Sequence, residues 1–187
     1  MSAETVSQLA RALDATGQVV DAVTADQWAA ATPCTDWTAA DLLRHLVLGN
    51  SRFAAAVSGD PLPEDAGPDS GLPAAYRESG AALLAAFGAP GALERIVTVP
   101  FGTVPGSVAL HLRVTEILVH GWDLAKATGQ SAEFPADVAE QELAFSRSAL
   151  EQLPPDRPFA PPQPVAQDAP AIERLVACLG RTVPAPA

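Results

Sequence analysis

The run SVALHLRVTEILVHGWDLAKAT, from Ser107 to Thr128, contains no proline and a single glycine, Gly121, and its apolar residues recur at helical spacing. It predicts one long helix, with Gly129 as the C-terminal stop. A helix of this length must bury its apolar side against other elements, and the rest of the chain supplies helices for that purpose. Residues 3–23 place Val6, Leu9, Leu13, Val20 and Val23 at spacings of three, four and seven, the stripe of a first helix. Thr24 then opens a short helical turn ending near Ala31, and TPCTDW, Thr32 to Trp37, reads as a loop. Thr38 followed by Asp41 is an Asp variant of the capping box, so a second helix should run from Thr38 to about Ser58.

Proline marks where helices stop. Pro61, Pro63 and Pro68, with glycine and aspartate between them, make residues 59–71 an exposed connection. An Ala-rich third helix follows from about Leu72 to Phe87 and ends at Gly88, Pro90 and Gly91. Leu93 to Val104 holds a β-branched run closed by Pro-Phe-Gly, which predicts a short extended segment or hairpin across one end of the helices. Pro135 leads a further helix to about Leu153. Residues 154–170 carry seven prolines and read as an extended wrap, before a last helix from about Ala171 to Leu179 and a short tail. No repeat of fixed period is present.

With 48% apolar and only 5% aromatic residues, the composition suits helices packed through small side chains, and the expected class is all-α. The length, 187 residues, fits one domain over residues 1–187, its proline-rich wrap, short helix and tail occupying 154–187. A formal charge of -11 repels phosphate backbones and anionic membrane surfaces, so nucleic acid and membrane are not expected partners. No stretch approaches the roughly 20 apolar residues of a bilayer span, and the N-terminus lacks the pattern of a secretory leader, so a cytoplasmic location is expected. Cys34 and Cys178 are far apart and show no zinc or disulfide spacing; both read as ordinary thiols.

Glu116 and His120 stand four residues apart on the long helix, hence on one face, flanked by Leu112 and Val119. A carboxylate on an apolar face is costly to desolvate unless a positive charge satisfies it, and a divalent cation does so most effectively. His45, in DLLRHLVL of the second helix, is set among apolar neighbours and needs a polar partner if it faces inward. Two histidines and one carboxylate from two helices form a three-ligand open site of the catalytic kind. The competing reading has His45 as a hydrogen-bonded core residue and Glu116 paired with Arg113 or Arg44.

The segments TPCTDWTAADLLRHLVLGN and HLRVTEILVHGWDLAKATG resemble the N-terminal domain of mycothiol-dependent maleylpyruvate isomerases and its uncharacterised actinobacterial relatives in the DinB-like superfamily; the closing APAIERLVACLGR is similar to the same relatives. The resemblance covers almost the whole chain, and its most specific piece is E-x-x-x-H-G-W-D, Glu116 to Asp123, combined with D-L-L-x-H, Asp41 to His45. It implies a DinB-like four-helix bundle, here with a short extended segment and an extra C-terminal helix. It further implies a divalent metal, usually zinc, on His45, Glu116 and His120. The implied chemistry is activation of a low-molecular-weight thiol, mycothiol, for S-transfer to an electrophilic small molecule or for isomerisation through a thiol adduct. The isomerase it resembles carries an additional C-terminal domain, which puts maleylpyruvate itself in doubt as the substrate.

Among the remaining candidates, Asp123 is three residues past His120 and reads as an acceptor orienting a ligand ring, a solvated residue, or a partner of Arg44. Trp37 and Trp122 read as core anchors rather than pocket walls, His111 as exposed, and Cys34 as a thiol near the entrance of the second helix with no base at a telling spacing. Three functions follow: a metal-dependent thiol transferase or isomerase, a non-catalytic metal-binding helical module, or a metal-free bundle with Glu116 paired to arginine. The sequence leaves the metal open among zinc, nickel, iron and manganese, and the assembly open between monomer and homodimer.

Overall fold

The computed structural model describes residues 2–64, 70–100, 102–152 and 160–183. Helix α1 spans Ser2–Asp21 and is followed by a 3-10 turn at Gln27–Ala29, where the short helical turn was expected. The TPCTDW loop closes tightly: Thr32 N–H donates to the Trp37 carbonyl (3.1 Å), Trp37 N–H to the Cys34 carbonyl (3.1 Å), and Ala31 bridges Thr38. Asp36 sits at φ 69 within it, a left-handed conformation that aspartate tolerates better than most residues.

Helix α2, Ala39–Ser58, begins as the capping box predicts, with the Thr38 side chain accepting from Asp41 N–H and the Asp41 carboxylate accepting from Thr38 N–H. Gly59 ends it in the left-handed conformation at φ 80. Helix α3 is Leu72–Gly88, and α4, the longest, is Gly106–Ala127. Between them β1, Ile96–Val99, pairs antiparallel with β2, Gly102–Pro105, in the register Val97↔Val104. Val97 and Val99 are buried while Ile96 and Thr98 face outward, the alternation of a half-covered strand. The expected short extended segment is therefore a hairpin.

Gly121 does not interrupt α4. It lies where α1 crosses, and a Cβ there would overlap Thr16 Oγ1, which donates to the Ile117 carbonyl of α4 (3.0 Å). The glycine is a close-approach site between two helices, and this outweighs its poor helix propensity.

Helix α2 packs on α3 and α4, and α1 packs on the same two helices. Leu9, Leu42, Leu43, Leu46, Leu110 and Ile117 are fully buried between them. Helix α5, Ala136–Gln152, lies against α4, and α6, Ala171–Cys178, against α5 and α4. The described residues are mostly helical, with one small sheet among them. Of the expected wrap, residues 160–170 run without regular structure apart from a turn at 167–169; Leu153, residues 154–159 and the last four residues of the tail lie outside the described residues. No helix among the described residues is long and apolar enough to cross a membrane.

Candidate metal centre

Helix α2 carries His45, and α4 carries Glu116 and His120 one turn apart, so packing α2 on α4 brings the three together. One ligand atom from each lies within 4.8 Å of the others. His45 Nε2 is 3.4 Å from Glu116 Oε1, and the two imidazoles meet edge to face with centroids 5.0 Å apart. Trp37, from the loop before α2, lies over His45 at 4.8 Å and near His120 at 6.1 Å.

The two oxygens of Glu116 are used differently. Oε2 accepts from Arg113 Nη1 at 2.8 Å, whereas Oε1 is directed toward His45. Arg113 is fully buried and spends its other donors inside: Nε on Asn50 Oδ1 (3.0 Å) and Nη2 on the Leu46 carbonyl (2.7 Å), with the Phe53 ring 5.7 Å away. Gly49 makes room for it, since a Cβ there would overlap the guanidinium. Burial acts to raise the Glu116 carboxyl, but the Arg113 charge, then His45 and His120, outweigh it and hold the group down at about 2. Glu116 is thus a carboxylate with one oxygen anchored.

His120 Nδ1 is 3.1 Å from Asp123 Oδ2. Burial pushes the imidazole down from its ordinary value, against the pull of Asp123, so the ring is neutral near pH 7. With Nδ1–H donating to the carboxylate, the lone pair is on Nε2, the arrangement that metal-binding histidines use. His45 Nε2 is buried and makes no aligned hydrogen bond among the described residues; Glu116 Oε1 stands 3.4 Å from it. The buried His45 Nε2, a carboxylate oxygen and the neutral His120 imidazole converge, and this donor set suits a first-row divalent cation.

A second group, Cys34, His120 and Asp123, also brings its ligand atoms within 4.8 Å. Cys34 Sγ is 3.3 Å from Asp123 Oδ2 and 3.7 Å from His120 Nδ1. Here a cation is already in place: Arg181 donates from Nη2 to Asp123 Oδ2 (2.9 Å) and to Cys34 Sγ (3.3 Å), and from Nε to Asp123 Oδ1 (3.3 Å). Burial and the Asp123 charge push the Cys34 thiol up to about 12, so it is protonated and a poor ligand. Burial likewise acts to raise Asp123, but its bonds to His120 and Arg181 win and keep it ionised.

Several expectations need correction. Asp123 is neither solvated nor dependent on Arg44: it is fully buried and its guanidinium partner is Arg181, while Arg44 donates to Asp41 (2.9 Å). His111 is not exposed; it is half-buried, with Nδ1 2.8 Å from the buried Glu142 carboxylate and its ring stacked on Phe145 at 5.0 Å. Trp122 is a core residue as expected, but Trp37 is only partly buried and lines the site. Arg181 ends the segment APAIERLVACLGR that resembles the family's relatives, but nothing in its spacing ties it to α4.

Residues 9–125 match the family described as mycothiol maleylpyruvate isomerase N-terminal domain. The chain belongs to this family. Uncharacterised proteins from two strains of Mycobacterium tuberculosis are each 40% identical to it over 178 residues, covering 92% of this chain and 95% of the relative. Two crystal structures of the mycothiol-dependent maleylpyruvate isomerase share the fold. One, a histidine-to-alanine mutant, superposes with a TM-score of 0.62 at 19% identity, and the other with 0.61 at 20%; each comparison covers 77% of this chain and 68% of the isomerase. The family match ends at Ala125, so α5, α6 and Arg181 lie beyond it.

Proposed function

We propose that this family member holds one divalent ion, zinc by preference, on His45 Nε2, Glu116 Oε1 and His120 Nε2, and that the site serves a thiol-dependent transferase or isomerase. The observation that carries the reading is the buried His45 Nε2, which makes no aligned hydrogen bond among the described residues and stands 3.4 Å from a carboxylate oxygen, with the His120 imidazole beside both. In this reading α1 to α4 act as a DinB-like four-helix bundle within a single domain, and the electrophilic small molecule and the thiol, mycothiol, are the partners. The fold neighbours are, by their names, mycothiol-dependent.

A bound divalent metal would lower the pKa of a coordinating thiol, so that thiolate is present at neutral pH. The chain's own residues prepare for this. Arg113 fixes one oxygen of Glu116 and leaves the other free, Asp123 fixes the His120 ring, and Trp37 covers His45 on one side. Arg113 also offsets the charge of Glu116, so a bound divalent ion would retain more of its positive charge for an anionic sulfur. A thiolate adding to an electrophilic carbon completes an S-transfer when a leaving group departs with its electron pair. It completes an isomerisation when the adduct eliminates the same thiol.

The Glu116–Arg113 pair is also what a metal-free bundle would contain. It engages only one carboxylate oxygen, however, and leaves the other 3.4 Å from His45 Nε2 with no aligned hydrogen bond between them, so the two features coexist.

The test is spectroscopic. Protein reconstituted with cobalt(II) is expected to gain a sulfur-to-cobalt charge-transfer band that saturates on titration with mycothiol, and His120→Ala protein is expected to show none. A cobalt-loaded protein whose spectrum ignores saturating thiol would leave a non-catalytic metal-binding module.

A further inference from the structure

We propose that Arg181 is a positioning residue of the metal centre: carried on the segment after α6, it clamps Asp123 and thereby holds His120 with Nε2 toward His45 and Glu116. This rests on the reading of the site given above, but Arg181 touches none of the three ligand residues in the bonds that define the clamp.

Asp123 is fully buried, and a buried carboxylate orients a neighbour only if its own position is over-determined. Arg181 supplies that constraint by donating to both carboxylate oxygens, at 2.9 and 3.3 Å, a two-point contact that lysine cannot reproduce. Oδ2 also meets His120 Nδ1 at 3.1 Å and accepts from Cys34 Sγ at 3.3 Å. The same guanidinium reaches Cys34 Sγ at 3.3 Å, in the loop whose Trp37 lies over His45. One side chain therefore ties that loop to α4 beside the candidate ligands.

The local sequence explains how Arg181 arrives there. Gly180 adopts φ +88 after α6; its N–H bonds the Ala177 carbonyl (3.1 Å), and Arg181 N–H bonds the Val176 carbonyl (3.0 Å). These are the two bonds of a Schellman motif, which turns the chain back over the helix end. Leu175 and Val176 are fully buried, so α6 is a fixed platform for the turn. Arg181 Nη1 further bonds the Leu179 carbonyl (3.1 Å), which sets the side chain's direction.

The experiment uses the full chain and two substitutions, Arg181→Gln and Arg181→Lys. Zinc affinity is measured by competition with a chromophoric chelator. In metal-free protein labelled with 15N-histidine, NMR reports which ring nitrogen of His120 carries the proton. Wild type is expected to show the Nδ1–H form. Arg181→Gln is expected to bind zinc at least about tenfold more weakly and to lose that preference, with helix content unchanged. Arg181→Lys should fall between the two. Wild-type affinity and an unchanged His120 spectrum in Arg181→Gln would overturn the clamp. So would a loss of affinity that only accompanies loss of helix and is equal in both variants. A wild type that binds no metal would instead sink the proposed function, while the NMR comparison would still decide the role of Arg181.

Discussion

Arg113→Met is expected to destabilise the metal-free protein by about 3–5 kcal/mol, because it leaves the Glu116 carboxylate in a largely buried site without its cation. The loss extends to Asn50 Oδ1 and the Leu46 carbonyl, which both accept from the same guanidinium. Adding Glu116→Gln should recover a substantial part of the loss, since a neutral amide needs no counter-charge. Urea unfolding in the presence of a chelator measures both. A cost below about 1 kcal/mol, in the range of exposed ion pairs, would mean that Arg113 does not neutralise Glu116 in solution.

Gly49→Ala is expected to show a reversal of sign. In an ordinary helix interior the change stabilises by up to about 1 kcal/mol. Here the new Cβ would overlap the Arg113 guanidinium, which is held by three hydrogen-bond partners and has nowhere to move. The expected net cost is about 2 kcal/mol, within the range for overpacked interiors. In an Arg113→Met, Glu116→Gln background the guanidinium is gone, and the same substitution should become neutral or stabilising. Equal effects in both backgrounds would show that Gly49 is not kept for Arg113.

These two residues also show what could be read from the sequence alone. The helices, the capping box at Thr38 and Asp41, the hairpin and the last helix follow from local rules, and they appear with boundaries shifted by a residue or two. His45, Glu116 and His120 were legible because residues four apart share a helix face and the family motif spans both helices. Arg113 was named only as a competitor for Glu116. That it binds one oxygen and leaves the other free depends on the packing of α2 against α4, which spacing does not express. Gly49 lies inside the expected second helix, and its role appears only once a side chain from another helix lies across it. The role of Arg181 was not legible for the same reason, although the segment that ends in it resembles the family: its contact with Asp123 spans 58 positions and passes through the turn after α6. Trp37 and His111 were misplaced because exposure of a residue at a loop or on a helix flank is decided by the neighbouring element.

Whether His45, Glu116 and His120 hold a metal is decided by elemental analysis of the purified protein, as isolated and after reconstitution with zinc and removal of excess. The expected result is about one zinc per chain for the wild type and a near-complete loss in both His45→Ala and Glu116→Ala, with each variant still helical by circular dichroism. A wild type that retains no metal after reconstitution, or variants that retain as much as the wild type, would contradict it.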